Sequence, residues 1–172
     1  MLSDLLSAVE RARVELRNIL HEFDESLTRE PWWNERWQIR YSGDQSSYIT
    51  NTDWQDGPTD LIWVGRQGRV DSLFGNESPP ELYVWISGNR PGLLRELRQL
   101  LTGSEQKEGD LRLRGSGNYV IRRYLRKWVP ESGESIEEYL EEFFHETRSF
   151  ISHYAQFLDE QGYTVKELKR LG

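Results

Sequence analysis

Apolar positions recur along this chain with two different periods. From residue 2 to 27 they alternate at spacings of three and four: Leu2, Leu5, Val9, Ala12, Leu16, Ile19 and Phe23, with Leu6, Leu20 and Leu27 widening the stripe. That pattern predicts a long amphipathic helix. Ser3 is its expected N-cap and Pro31 lies beyond its end. The same period returns from about Ile136 to Leu158 through Ile136, Leu140, Phe143, Thr147, Phe150, Tyr154 and Phe157. Ser135 with Glu138 three residues on is a capping-box pattern for this second helix. Gly162 stops it, and Val165 to Leu171 add a terminal turn.

Between the two long helices the period is mostly two. Arg36 to Ser42, Ser47 to Thr52, Leu61 to Val64 and Glu81 to Ser87 read as strands separated by Gly- and Asp-containing turns. Asn89, Arg90 and Pro91 open a shorter helix carrying Leu93, Leu94, Leu97, Leu100 and Leu101, and Gly103 closes it. Leu111 to Arg114, the turn Gly115-Ser116-Gly117-Asn118, and Tyr119 to Trp128 read as a β-hairpin. The expected fold is one α+β domain over residues 1–172. An antiparallel or mixed sheet of about six strands packs against the two long terminal helices and the middle one. Each long helix is expected to lay its stripe on the sheet. The heptad-like spacing also suits pairing of helices, including across a homodimer axis.

Composition narrows the functional classes. The chain has 172 residues, a formal charge of −7 and no Cys, which rules out disulfides, thiolate metal sites and cysteine nucleophiles. No apolar run approaches the roughly 20 residues needed to span a bilayer. Asp4, Glu10 and Glu15 interrupt the first helix, so it does not read as a signal peptide. The expectation is a cytoplasmic protein without membrane contact.

Charge is segregated. Between Asp110 and Trp128 stand Arg112, Arg114, Arg122, Arg123, Arg126 and Lys127 against a single acid, a formal +5 within a chain of −7. Strand alternation puts Arg122, Tyr124 and Arg126 on one face and Ile121, Arg123, Leu125 and Lys127 on the other. Arginines interleaved with an aromatic ring suit phosphate contact with base stacking. Seven acids follow between Glu131 and Glu146, however, and can neutralise these cations inside the fold. Trp32, Trp33 and Trp54 are candidate interface anchors, while the other tryptophans are expected in the core.

Catalytic patterns are thin. Asp60 and Glu81 could serve as the two acids of a metal-dependent nuclease. The lysine such a site needs two positions after the second acid is replaced by Tyr83, so Asp60 reads better as a turn residue. Glu141 and His145 share a helix face but have no identifiable third ligand. Phosphate-binding glycine loops and serine nucleophile elbows are absent. Hence no catalytic residue, metal or cofactor is assigned.

From Glu81 onward, the order Glu-Leu-Tyr-Val-Trp-Ile-Ser, leucine-rich helix, Gly-Asp-Leu-Arg-Leu, Tyr-Val-Ile-Arg-Arg-Tyr-Leu and aromatic amphipathic helix resembles a known domain of unknown activity. That domain follows the nuclease domain in some prokaryotic restriction-type proteins. The resemblance covers about half the chain, transfers no catalytic residue, and implies a role near nucleic-acid transactions or phage defence. The element order is also similar to that of small dimeric secretion-type chaperones. The reading at this level is a non-enzymatic module binding nucleic acid, or a nucleic-acid-associated protein, through the basic hairpin. The alternative is an acidic dimeric protein-binding module, followed by a metal-dependent hydrolase. The partners expected are nucleic acid or an acidic protein surface.

Overall fold

The stripe of the first helix is occupied along only half its length. In the computed structural model, which describes residues 2–43, 46–75, 77–105, 113–114 and 117–172, helix α1 runs Leu2–Ser26. Leu20 and Phe23, with Leu27 just past its end, are buried, and Leu16 packs at the margin of the core. Leu5, Leu6 and Val9 continue the same stripe but are 61%, 59% and 43% exposed. The expectation that the whole stripe lies on the sheet therefore fails for the first turns, and Ser3 sits inside the helix rather than capping it.

The strands are β1 Trp37–Ser42, β2 Ser46–Asn51, β3 Gln55–Asp56, β4 Thr59–Asp60, β5 Ile62–Gln67, β6 Glu81–Ser87, β7 Leu113–Arg114 and β8 Gly117–Tyr124. Six of them form an antiparallel sheet in the order β1-β2-β5-β6-β8-β7, while β3 and β4 pair separately. The remaining helices are α2 Val70–Phe74, α3 Pro91–Glu105, α4 Ile136–Glu160 and α5 Val165–Leu171. The expected α+β architecture is thus present, with an antiparallel rather than mixed sheet. Ser135 and Glu138 form the capping box foreseen for α4, and Thr164 with Glu167 forms a second one for α5. Among the described residues no helix is long and apolar enough to cross a membrane.

One face of the sheet is covered by helices. Ile49, Ile62, Val64, Leu82, Val84 and Ile86 are at most 1% exposed and share a cluster with Phe143, Phe150, Ile151 and Leu158 of α4. Helix α4 lies against β5 and β6, and α3 lies against β8. Arg66 also points to this side, where it meets Asp24 of α1 through two bonds, Nε–Oδ1 at 3.0 Å and Nη2–Oδ2 at 2.6 Å. Both side chains are nearly buried, so each charge depends on the other.

A tryptophan cluster closes one end of this core. Trp37 stands edge-on to Trp32 at 5.5 Å and to Trp54 at 5.3 Å. Trp32 donates its indole N–H to Ser152 of α4, and Trp33 is half-buried beside it. Trp54 is 1% exposed. It is a core residue, which corrects its reading as an interface anchor: a ring with no surface cannot reach a partner.

Candidate interaction surface

The opposite face of the sheet is built from alternate residues of the same strands. Register places Arg40, Tyr48, Gly65, Tyr83 and Arg122 in one row across five strands. A second row contains Trp63, Trp85 and Tyr119. A third runs through Ser42, Ser46, Gln67, Glu81 and Tyr124. An antiparallel sheet with one packed face ordinarily turns polar residues outward on the other. This face carries six aromatic residues instead.

The rings touch in a continuous series. Tyr48 stacks on Trp63 at 4.3 Å with the planes 9° apart. Trp63 lies 6.2 Å from Trp85, and Trp85 meets Tyr119 edge-on at 4.7 Å. The Arg122 guanidinium then sits between Tyr119 and Tyr124, 4.6 and 4.7 Å from their centroids. Tyr83 lies beneath, 5% exposed and edge-on to Tyr119. The series spans β2, β5, β6 and β8. Tyr48, Trp63, Trp85, Tyr119 and Arg122 remain partly exposed, and Tyr124 is 47% exposed.

Two backbone features make this possible. A Cβ on Gly65 would lie 2.3 Å from the Ser47 carbonyl oxygen and 2.6 Å from Tyr48 Cβ, so only glycine allows β2 this close approach. A register shift between Val84 and Trp85 pairs Val84 with Ile121 but Trp85 with Tyr119. The extra residue, Val120, is 1% exposed and packs in the core. Simple alternation would have turned Tyr119 away from the side that Arg122 shares with Tyr124. The bulge re-aims it into line with them.

Polar groups lock the ends of the series. Glu81 is 4% exposed and accepts the Tyr119 hydroxyl at 2.6 Å on Oε1 and Arg122 Nε at 2.6 Å on Oε2. Arg122 Nη2 lies 2.5 Å from the same Oε2. Burial and the bond to Glu81 hold the Tyr119 phenol well above its usual range. At the other end, Asp60 accepts from Tyr48 at 3.2 Å and from Gln55 at 2.9 Å, and it pairs with Arg40 at 3.6 Å. Burial, with the Asp60 charge behind it, pushes the Tyr48 phenol up to about 12. Asp60 ends β4 and pairs with Gln55, so it is a buried strand acceptor rather than the turn residue expected; the turn is made by Gly57 and Pro58. Gln67 pairs with Glu81 at one end of the β5–β6 ladder, whereas Asp60 lies before Ile62 at the other. Asp60 lies seven residues before Gln67 along the chain, roughly 20 Å or more of extended backbone, which leaves the two acids too far apart for one metal centre.

The basic segment divides. Arg112 lies outside the described residues; Arg114 belongs to β7, but its side chain also lies outside them. The four remaining cations are engaged by the fold. Arg122 joins Glu81 as above. Arg123 lies over the Phe150 ring on the covered side at 5.6 Å. The strand ends at Tyr124, so Arg126 does not continue its face; it pairs with Glu134 at 2.6 Å, with Glu142, and stands over Tyr139 at 5.1 Å. Arg126 in turn holds the Glu134 carboxyl below its ordinary range. Lys127 donates to the carbonyls of Gly75, at 3.1 Å, and Glu77. Internal neutralisation by the following acids accounts for Arg126, while the partner of Arg122 is an acid 41 residues upstream.

Sequence reasoning brought Arg122 and Tyr124 together correctly but missed Tyr48, Trp63, Trp85 and Tyr119. The available signal was aromatic residues at alternate positions of successive strands. It was hidden because each strand also carries apolar residues on its other face. No family model, curated protein or solved structure matches the chain.

Proposed function

We propose that this chain is a non-enzymatic protein-binding module whose contact surface is the open aromatic face of the sheet. One observation carries the reading: a ring-to-ring series of Tyr48, Trp63, Trp85, Tyr119 and Tyr124, with Arg122 inserted, on the face opposite the helices. Trp, Tyr and Arg are the residues in which interface binding energy concentrates. Most of these rings have a face taken by a neighbour, so they offer edges to a ligand. Edges suit apolar side chains better than stacked bases.

Nucleic acid becomes the second reading. What favours it is Tyr124, exposed beside the Arg122 guanidinium. Against it stand the internal engagement of the four described hairpin cations and a chain charge of −7, which repels a phosphate backbone. The resemblance of the second half to a domain of restriction-type proteins suggests where a protein partner would be sought, in a cytoplasmic nucleic-acid-handling assembly. Homodimerisation is a further reading, favoured by the bare Leu5, Leu6 and Val9 stripe, and sedimentation equilibrium over a concentration series tests it.

Site-specific photo-crosslinking tests the leading reading. A photoreactive phenylalanine analogue at Trp85 or Tyr124 is expected to give a discrete protein adduct in the native host, lost when Trp63→Ala is added. The same probe at Gln156, exposed on α4, serves as control. Adducts to nucleic acid, adducts between copies of this chain, or none beyond the control would overturn it.

A further inference from the structure

A cleft of about 620 Å³ opens at the Glu81 end of the aromatic face. The chain leaving β5 (Gln67 to Arg69), Ser72 of α2, the approach to β6 (Glu77 to Pro79), and Glu81, Tyr119 and Arg122 line it. We propose that this cleft is a carboxylate pocket, which receives an acidic side chain of the partner segment lying on the aromatic face. The identity of the ligand as a protein group rests on the function proposed above; the preference for an oxyanion rests on the cleft itself.

That preference follows from hydrogen-bond stoichiometry. Both oxygens of Glu81 are already taken, one by the Tyr119 hydroxyl and the other by Arg122. Glu77 is engaged by the Ser72 hydroxyl at 3.4 Å and by Arg69 at 3.8 Å. Glu81, with the Tyr119 hydroxyl on one oxygen and two Arg122 nitrogens on the other, has little acceptor capacity left for the rest of the Arg122 guanidinium. A guanidinium has five N–H donors in a rigid fork, and Glu81 occupies only the Nε and Nη2 side of Arg122. The Lys127 ammonium, held on the carbonyls of Gly75 and Glu77, adds a positive charge next to the Glu77 backbone, outside the lining itself. Arg69 and Arg122 balance Glu77 and Glu81 within the lining, and Lys127 beside the Glu77 backbone brings the local sum to +1.

Arg122 is also pre-organised for this task. Tyr119 and Tyr124 hold its planar faces and Glu81 fixes one edge, so little side-chain freedom remains to be lost on binding. A carboxylate there would accept a fork from Arg122, with Ser72 and the Gln67 amide within the same lining. Rings on one side and cationic donors on the other select a segment with an acidic residue next to apolar ones.

The test is an NMR titration of the intact chain with N-acetylglutamate methylamide, N-acetylglutamine methylamide and inorganic phosphate. The carboxylate is expected to shift the Gly68 and Ser72 amides and the Arg122 Nε–H, with a dissociation constant on the order of a millimolar for one side chain. The neutral glutamine analogue should do nothing. Arg69→Gln, at a half-exposed position where folding is not at stake, should weaken the carboxylate response at least about fivefold. Because the titration reads the cleft with a single side chain and no partner segment, failure of the aromatic surface and failure of the pocket are separable. No shift, an equal response to glutamine, or phosphate binding more than about tenfold tighter than carboxylate would overturn the assignment.

Discussion

The two faces of the central sheet are both rich in apolar residues, yet only one is used to hold the fold together. On the helix side, Ile62, Val64, Leu82, Val84 and Ile86 are sealed by α3 and α4, and the Arg66–Asp24 charge pair there is enclosed. On the other side, Tyr48, Trp63, Trp85 and Tyr119 pack against one another, remain partly exposed, and are fixed by Asp60 and Glu81. Apolar content alone does not mark a core. What separates the two faces is whether the chain's own elements complete the packing, and where they do not, the rings remain open to a partner.

The contrast is most easily broken on the covered side. Asp24→Ala should destabilise the fold by about 3–5 kcal/mol, because Arg66 is left as an uncompensated buried charge. Trp54→Ala, which empties the tryptophan cluster, belongs in the same range, about 3–5 kcal/mol. Urea unfolding followed by circular dichroism measures both, and a loss below about 1 kcal/mol in either would mean that the helix side is not the stabilising one.

Alkaline pH should act on both faces. Tyr41, Tyr48, Tyr83, Tyr119, Tyr139 and Tyr163 all have phenols raised above the usual value of 10.0, with burial the leading cause. A raised folded-state value means that the neutral phenol is preferred in the fold. Its contribution is complete below pH 10 and is lost as pH climbs toward and through about 12, the value for Tyr48. Stability measured from pH 8 to 12 should therefore stay level at first and fall only past pH 10, together with rising tyrosinate absorbance. A decline beginning below pH 9 would contradict this.

On the open face the effects should be smaller. Trp63→Ala removes ring contacts with Tyr48 and Trp85 but leaves no enclosed cavity, so a loss of about 1 kcal/mol is expected, well below that of Trp54→Ala. A loss as large as for Trp54 would mean that the ring series is structural. Smallest of all is Leu6→Ser on the bare part of α1: with the side chain 59% exposed, the monomer's unfolding midpoint should stay within experimental error. A clear drop that grows with protein concentration would show that this stripe is buried between copies.

Much of the frame was legible in the chain. The period of 3.6 at Leu16, Leu20 and Phe23 and at Leu140, Phe143 and Phe150 marks α1 and α4, and the Ser135–Glu138 box marks where α4 begins, because these are local physical requirements. The period of two marks the strands, with β6 at its observed bounds. Which alternate set would be covered was not legible, since it depends on where helices pack at long range. Tyr119 shows the limit most clearly: one bulged residue, Val120, reverses its face, and no local pattern announces it. Arg122 was singled out for its charge, but its bond to Glu81 is a contact across 41 residues that spacing does not reveal.

The aromatic face is proposed to serve recognition rather than stability. Affinity of Trp85→Ala for the partner that crosslinks at Trp85, measured by calorimetry alongside the chain's unfolding midpoint, tests it most directly. At least a tenfold loss of affinity, about 1.4 kcal/mol or more, is expected, with the fold essentially as stable as before. Unchanged affinity, or a loss explained by unfolding of the variant, would contradict it.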